Sequence, residues 1–141
     1  MKLLVLAIIL CGCSAPRFYT VGEVATWSKC EPVNISWWTA QTIEYKDTKG
    51  WESAEKCIAR GTGDCKCLAV VPRDILKKCG YSSKVITIKN GKRLHAVVLY
   101  TDKSGRRGFI NGVTQKSYEA RTDWNKIISE ISGGPWEEVR P

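Results

Sequence analysis

Arg60-Gly61-Thr62-Gly63-Asp64-Cys65-Lys66-Cys67-Leu68-Ala69 is the stretch that decides how this chain is read. Two glycines and an aspartate lead into a cysteine, and an apolar, helix-like run follows. Glycine admits tight turns and left-handed backbone, and aspartate is a strong helix N-cap. The pattern predicts a helix that carries Cys65 in its first turn. Unpaired backbone N–H groups and the positive end of the helix dipole converge there. Both favour a thiolate, the nucleophilic form of cysteine.

Working outward, Trp51, Ala54, Cys57 and Ile58 fall on one helical face, and Gly61 ends that short helix. Downstream, Leu68, Val71, Ile75 and Cys79 share a face, and Gly80 closes the helix. Pro72 sits inside this run and removes a helix hydrogen bond, so a kink or a break is expected there. A short strand or helix is expected near Ile35–Ile43. Lys84 to Lys89 alternates as a strand, and Asn90-Gly91 is a hairpin signal. Arg93 to Tyr100 reads as the return strand, Arg107 to Ile110 as a third strand, and Val113 to Tyr118 pairs back after the Asn111-Gly112 turn. Asp123 caps a last helix carrying Trp124, Ile127, Ile128 and Ile131, stopped by Gly133-Gly134-Pro135. Helices first, then an antiparallel meander, then a helix is an α+β order with segregated elements.

The start of the chain carries an address. Lys2, the apolar run Leu3 to Leu10 and the small residues after it form an export signal, too short to span a bilayer. Leu10-Cys11-Gly12-Cys13 resembles the bacterial lipobox. The expectation is a signal peptide over 1–12, lipidation of Cys13, a tether over 13–29 and one domain over 30–141. An ordinary secretory signal cut near Ala15 is the alternative. A lipidated Cys13 implies the cell envelope and a membrane partner. Ser14 in place of aspartate implies the periplasmic face of the outer membrane if the host is Gram-negative. The net charge of +8 suits anionic headgroups or acidic partners, and no nucleic-acid-binding motif is visible.

The chain has seven cysteines. With Cys11 and Cys13 assigned to the signal and the lipid, Cys30, Cys57, Cys65, Cys67 and Cys79 remain. An odd number in an oxidising compartment points to one free thiol. If that is Cys65, the other four form two disulfides, with three connectivities open. Zinc on Cys57, Cys65, Cys67 and Cys79 is a rival, but the spacing is poor beside paired zinc knuckles.

A cysteine nucleophile needs a base, and His95 is the one histidine. On the alternating strand pattern it shares a face with Val97 and Leu99, while Leu94, Ala96, Val98 and Tyr100 take the other. Beneath a helix it could meet the turn that carries Cys65 and form a thiolate–imidazolium pair. A third group should orient the imidazole. Asn111 and Asp102 are the candidates.

These residues carry a resemblance. Trp51, then Gly61-Thr62-Gly63-Asp64-Cys65 with Leu68-Ala69, resembles the bacterial transglutaminase-like cysteine proteinases, part of the papain-like and transglutaminase-like superfamily. Tyr45 and Asp47 fit that family's upstream pair, His95-Ala96-Val97 its histidine strand, and Phe109-Ile110-Asn111 its last strand. The match covers roughly residues 43–112. It implies a papain-like core with the nucleophile at a helix N-terminus packed on an antiparallel sheet. It also implies an envelope-anchored cysteine-dependent acyl-transfer enzyme, a peptidase acting on protein or peptide through Cys65, His95 and Asn111. A binding module that keeps the fold without catalysis is the alternative, and a lysine acceptor in place of water would make a transglutaminase. The backbone N–H of Cys65 is the natural oxyanion donor, with Trp51 and Gln41 as candidates for a second. The departures are Ala54 and Lys56 for the family's proline and glutamate, Lys66 and Cys67 for its acidic pair, and Asn111 for its aspartate. With only Asp64 left of the acids flanking the cysteine, neither calcium nor any other cofactor is expected. Cys67 is placed to pair with Cys57, Cys79 or Cys65 itself.

Overall fold

The computed structural model describes residues 14–133 and 136–138. The export signal and Cys13 lie outside the described residues. Five helices and seven strands are built from strong local signals. Helix α1 (Val21–Trp27) starts at a capping box in which Thr20 and Glu23 satisfy each other's backbone. Helix α2 (Pro32–Thr42) begins with a proline in its first turn. The two-residue strand β1 (Glu44–Tyr45) follows. Helix α3 (Ala54–Arg60) is capped by Ser53 and ends on left-handed Gly61. The short strand β2 (Thr62–Gly63) pairs in parallel with β1. Helix α4 (Cys65–Lys78) is capped by Asp64.

The meander is β3 (Ser82–Asn90), β4 (Arg93–Thr101), β5 (Arg106–Asn111) and β6 (Thr114–Ala120). Helix α5 (Trp124–Ser132), capped by Asp123, and the short strand β7 (Glu137–Glu138) complete the chain. The sheet order is β6-β5-β4-β3-β7, antiparallel throughout.

Both faces of this sheet are covered, which explains the almost unbroken burial from Ala96 to Tyr100. Ala96, Val98, Tyr100 and Ile110 join one core with residues of α1 to α4, among them Trp38, Val71, Ile75 and Leu76. Ile86, Ile88, Val97, Leu99 and Phe109 join a second core with Ile127 and Ile128 of α5. Fully burying a side chain of this size contributes about 1.5–3 kcal/mol, so α4, which buries Val71, Ile75 and Leu76, is the best-anchored helix.

Of the kink or break expected at Pro72, the break does not occur: helix α4 runs through Pro72, which is itself buried within it. Packing on both sides of the proline outweighs the one backbone bond it cannot make. The segment expected to be a tether is folded from residue 15 on. Val24 and Ala25 are buried, Ala15 and Phe18 pack on the core, and the Trp38 Nε1–H donates to the Pro16 carbonyl at 2.9 Å.

Among the described residues two disulfides form, Cys30–Cys79 and Cys57–Cys67, and Cys65 is free. The first ties the α1–α2 turn to the end of α4. The second ties α3 to the first turn of α4. The zinc reading falls with this pairing, because its four cysteines are divided among two disulfides and a lone thiol. No helix among the described residues is long and apolar enough to cross a membrane.

Candidate active site

The first turn of α4 is fixed from below by its cap. The Asp64 carboxylate accepts from the Lys66 backbone N–H at 2.9 Å and from the Thr48 N–H at 3.4 Å, and it pairs with the Lys66 ammonium. Burial alone would push this carboxyl up, but the Lys66 ammonium and N–H outweigh it and hold Asp64 below the usual range. The same cluster ties the 46–53 segment to the helix, since the Lys66 ammonium also reaches the Thr48 carbonyl at 3.5 Å.

Gly63 is required for a steric reason rather than a conformational one. A Cβ there would lie 2.3 Å from Cys67 Cβ and 2.6 Å from its sulphur. The glycine lets the chain pass against the Cys57–Cys67 bridge and deliver Asp64 to the cap position. Arg60 grips Glu52 through both guanidinium nitrogens and donates to the Thr62 carbonyl at 3.0 Å, which fastens the residue beside Trp51 to the same turn.

Cys65 then meets β4 at its open edge. Pairing of β4 with β5 ends at Val98↔Ile110, so β4 continues without that neighbour over its first residues. There Ala96 and His95 line the same cavity as Cys65, and the Ala96 backbone N–H lowers the thiol pKa. The expectation that His95 lies on the face beneath the helix bearing Cys65 is corrected by the packing. The face that Val97 and Leu99 share is covered by α5, and α4 packs over Ala96 and Val98. His95 and the thiol meet as walls of one cavity.

The histidine faces both expected partners. Its side chain shares a cavity with Cys65, which raises its pKa, and its Nε2 lies 2.5 Å from Asn111 Oδ1. An amide oxygen only accepts, so Nε2 carries the proton, and Nδ1 is the nitrogen left for the thiol. The bond from His95 lowers the Cys65 pKa, burial opposes it, and the Ala96 N–H lowers it further. The bond from Cys65 raises the His95 pKa against burial, and Asn111 adds to the rise. Opposite shifts in one bonded pair favour thiolate and imidazolium together. Asp102 is elsewhere: its carboxylate accepts from the Ser104 N–H and hydroxyl and from the Arg106 N–H, closing the β4–β5 turn.

A cavity of about 410 Å³ opens over the thiol, walled by Tyr45, Trp51, Leu94 and His95. Tyr45 and Trp51 are well exposed. Partial burial and the nearby Cys65 charge raise the Tyr45 phenol. Gln41 lines a different cavity, with Phe18 and Ile58, and not the one over Cys65. The Ala96 N–H is the site group that sequence reasoning missed. Its signal was the length mismatch between a nine-residue β4 and a six-residue β5, which leaves backbone donors unpaired. Among the described residues, Glu52, Cys57 and Cys67 cluster as metal ligands do, but both sulphurs are spent in the disulfide.

No family model and no curated protein matches the sequence. Solved structures do resemble this one. Legionella pneumophila LapG superposes with a TM-score of 0.55 at 16% identity, covering 80% of each chain. Its calcium-bound form gives 0.54 at 14% identity, covering 79% of this chain and 87% of that one. A protein of Cytophaga hutchinsonii assigned provisionally as a cysteine protease gives 0.55 at 14% identity, over 70% of this chain and 39% of that longer one. At these identities the likeness is one of fold, and the fold is the expected one: an α+β papain-like core with a cysteine at the N-terminus of a helix packed on an antiparallel sheet.

Proposed function

We propose that this protein is a cysteine peptidase that hydrolyses an amide bond in a protein or peptide through Cys65, His95 and Asn111. The observation that carries the proposal is that Cys65 and His95 line one cavity while Asn111 Oδ1 holds His95 Nε2 at 2.5 Å, with the thiol shifted down and the imidazole shifted up.

The Cys65 thiolate attacks the amide carbonyl carbon, and the developing oxyanion takes the Cys65 backbone N–H at the start of α4. The His95 imidazolium gives its Nδ1 proton to the amine, the C–N bond breaks, and a thioester remains on Cys65. Water then gives a proton to His95 and adds to the thioester, and the carboxylic acid leaves as the thiol reforms. Asn111 keeps the ring oriented throughout.

LapG has a calcium-bound form. Here the residues around Cys65 do not suit that ion. The one carboxylate in the helix turn, Asp64, is already neutralised by Lys66, and no step is assigned to a metal. We also propose that Cys13 is lipidated and holds the protein at the envelope, which would present the site to substrates at a membrane surface.

The test is site-resolved alkylation of Cys65 across pH, with digestion of a denatured protein mixture in parallel. Activation predicts labelling that titrates below the ~8.5 of a free cysteine and cleavage lost in Cys65→Ser. Labelling only after reduction, or cleavage that survives Cys65→Ser, would overturn the assignment.

A further inference from the structure

A second cavity, of about 430 Å³, shares His95 with the site and is lined by Asn111, the partner of His95 Nε2, rather than by Cys65. Its walls include Ile88, Arg93, His95, Asn111 and Ile131, but not Cys65. Arg93, His95 and Val97 alternate onto the same face of β4, the face that α5 covers. This space is thus contiguous with the imidazole and separate from the aromatic-walled cavity over Cys65. The two meet at His95.

Chemistry gives the two sides different roles. In a thiol-dependent hydrolysis the acyl half stays on sulphur while the amine half leaves past the group that protonates it. That group is His95, so the cavity beyond it receives the residues that follow the scissile bond. Its floor is apolar, from Ile88 and Ile131, and its one cationic side chain is Arg93. Arg93 is exposed and makes no ion pair among the described residues. Glu138 pairs with Ile88 in β7 and shares this face, but it stands two strands from Arg93 and is not bonded to it. The Ser129 carbonyl at the nearby end of α5 is already taken by the Gly133 N–H and the Ser132 hydroxyl. An unpaired guanidinium at the rim of a half-apolar cavity is a receptor for a carboxylate on a short aliphatic stem.

Resting on the peptidase reading above, we infer that Arg93 is a specificity-determining residue that selects substrates with aspartate or glutamate at one of the first two positions after the scissile bond. The acyl half, held beside Tyr45, Trp51 and Leu94, takes an apolar or aromatic residue. Arg93 touches substrate but no reacting atom. It also repels the imidazolium of His95, and a bound carboxylate offsets that repulsion, so the right substrate favours the protonated His95 that the leaving amine needs.

The experiment is digestion of a proteome-derived peptide library by the protein and by its Arg93→Ala, Arg93→Glu and Arg93→Lys variants, with cleavage sites read by mass spectrometry. Thermal unfolding midpoints check that each variant is folded. Expected is an acidic enrichment in the two positions after the cut for the parent chain, reduced about fivefold in Arg93→Ala, as a single partly exposed ion pair allows. It should turn to a preference for lysine and arginine in Arg93→Glu and be largely kept in Arg93→Lys. Cleavage without acidic enrichment, or the same preference in Arg93→Glu as in the parent, overturns the inference and leaves the peptidase reading standing. No cleavage of any peptide by a protein whose Cys65 still alkylates as an activated thiolate overturns both.

Discussion

His95 Nε2 and Asn111 Oδ1 meet at 2.5 Å although their strands have already parted, the last β4–β5 pair being Val98↔Ile110. Asn111 is the final residue of β5, just before the turn at Gly112, and it reaches diagonally past Val97 to the ring. Because it accepts from Nε2–H, it selects the tautomer that leaves Nδ1 facing Cys65. Removing that acceptor releases the ring and leaves the imidazolium without a partner on one side. A hydrogen bond to a charged group contributes about 1.5–3 kcal/mol. Asn111→Ala should therefore lower turnover about 10–100-fold with little change in KM, and Asn111→Asp should restore most of it. Steady-state kinetics on one cleaved peptide decide this. A KM effect with unchanged kcat would remove Asn111 from the mechanism.

The paired shifts of Cys65 and His95 set a pH window. The fold favours protonated His95, so its contribution to stability is present below the ordinary histidine range and is lost as pH rises through the raised folded value. The fold also favours ionised Cys65, so that contribution is present above the ordinary thiol range and is lost as pH falls through the lowered folded value. Hydrolysis should follow a bell whose acid limb is the thiol and whose alkaline limb is the imidazole. His95→Ala removes the largest cause of the thiol shift, so alkylation of Cys65 should then titrate higher, toward the ~8.5 of free cysteine. An unmoved titration would assign the shift to the helix turn and the Ala96 N–H instead.

Much of this site was legible because it is local. Gly61, Asp64 and Cys65 are contiguous, and a cap followed by a helix needs no tertiary information. The Asn90-Gly91 signal and the alternation around it likewise gave the β3–β4 hairpin. What was not legible depends on register and on faces. Period-two alternation assigns His95 to a face, but it does not say which helix covers that face or where the neighbouring strand stops. The end of the β4–β5 ladder at Val98↔Ile110 is set by register, which alternation leaves open. Of the kink or break expected at Pro72, the break is absent, because local propensity ignores the burial of α4. The choice among three disulfide pairings needed Cα positions, since cysteines bond at about 4.4–6.8 Å and the two pairs lie at 5.5 and 5.7 Å.

The two disulfides should separate stability from activity. Cys30–Cys79 spans 49 positions and Cys57–Cys67 spans 10. On the loop-entropy account, replacing the first pair by serine costs about 4 kcal/mol and the second about 2–3. Only the second touches the turn that presents Cys65, through the close approach of Cys67 to Gly63. The Cys57→Ser/Cys67→Ser protein should thus melt higher than Cys30→Ser/Cys79→Ser yet show the larger change in Cys65 titration. Calorimetry with alkylation on the same samples tests it. The reverse ranking of titration effects would show that the α3–α4 bridge does not shape the site.

Asp64 and Lys66 act on Cys65 in opposite electrostatic senses while sharing one structural task. The Asp64 charge raises the thiol pKa, whereas thiolate and ammonium attract, as the Cys65 contribution to the raised Lys66 pKa records. Asp64→Asn keeps a good N-cap and removes the negative charge, so Cys65 should titrate lower with little loss of stability. Asp64→Ala removes the cap as well and should cost about 1 kcal/mol. Lys66→Met leaves the carboxylate uncompensated and removes a favourable cation, so Cys65 should titrate higher. It also removes one tie between the 46–53 segment and the helix, the Lys66–Thr48 carbonyl contact, which should raise KM modestly through the Trp51 wall. Because the internal ammonium already neutralises Asp64, a calcium chelator should leave Cys65 alkylation unchanged in the parent protein. Alkylation profiles of the three variants, with and without chelator, settle the matter. A rate that falls on chelation would mean that a cation outside this pair holds the turn.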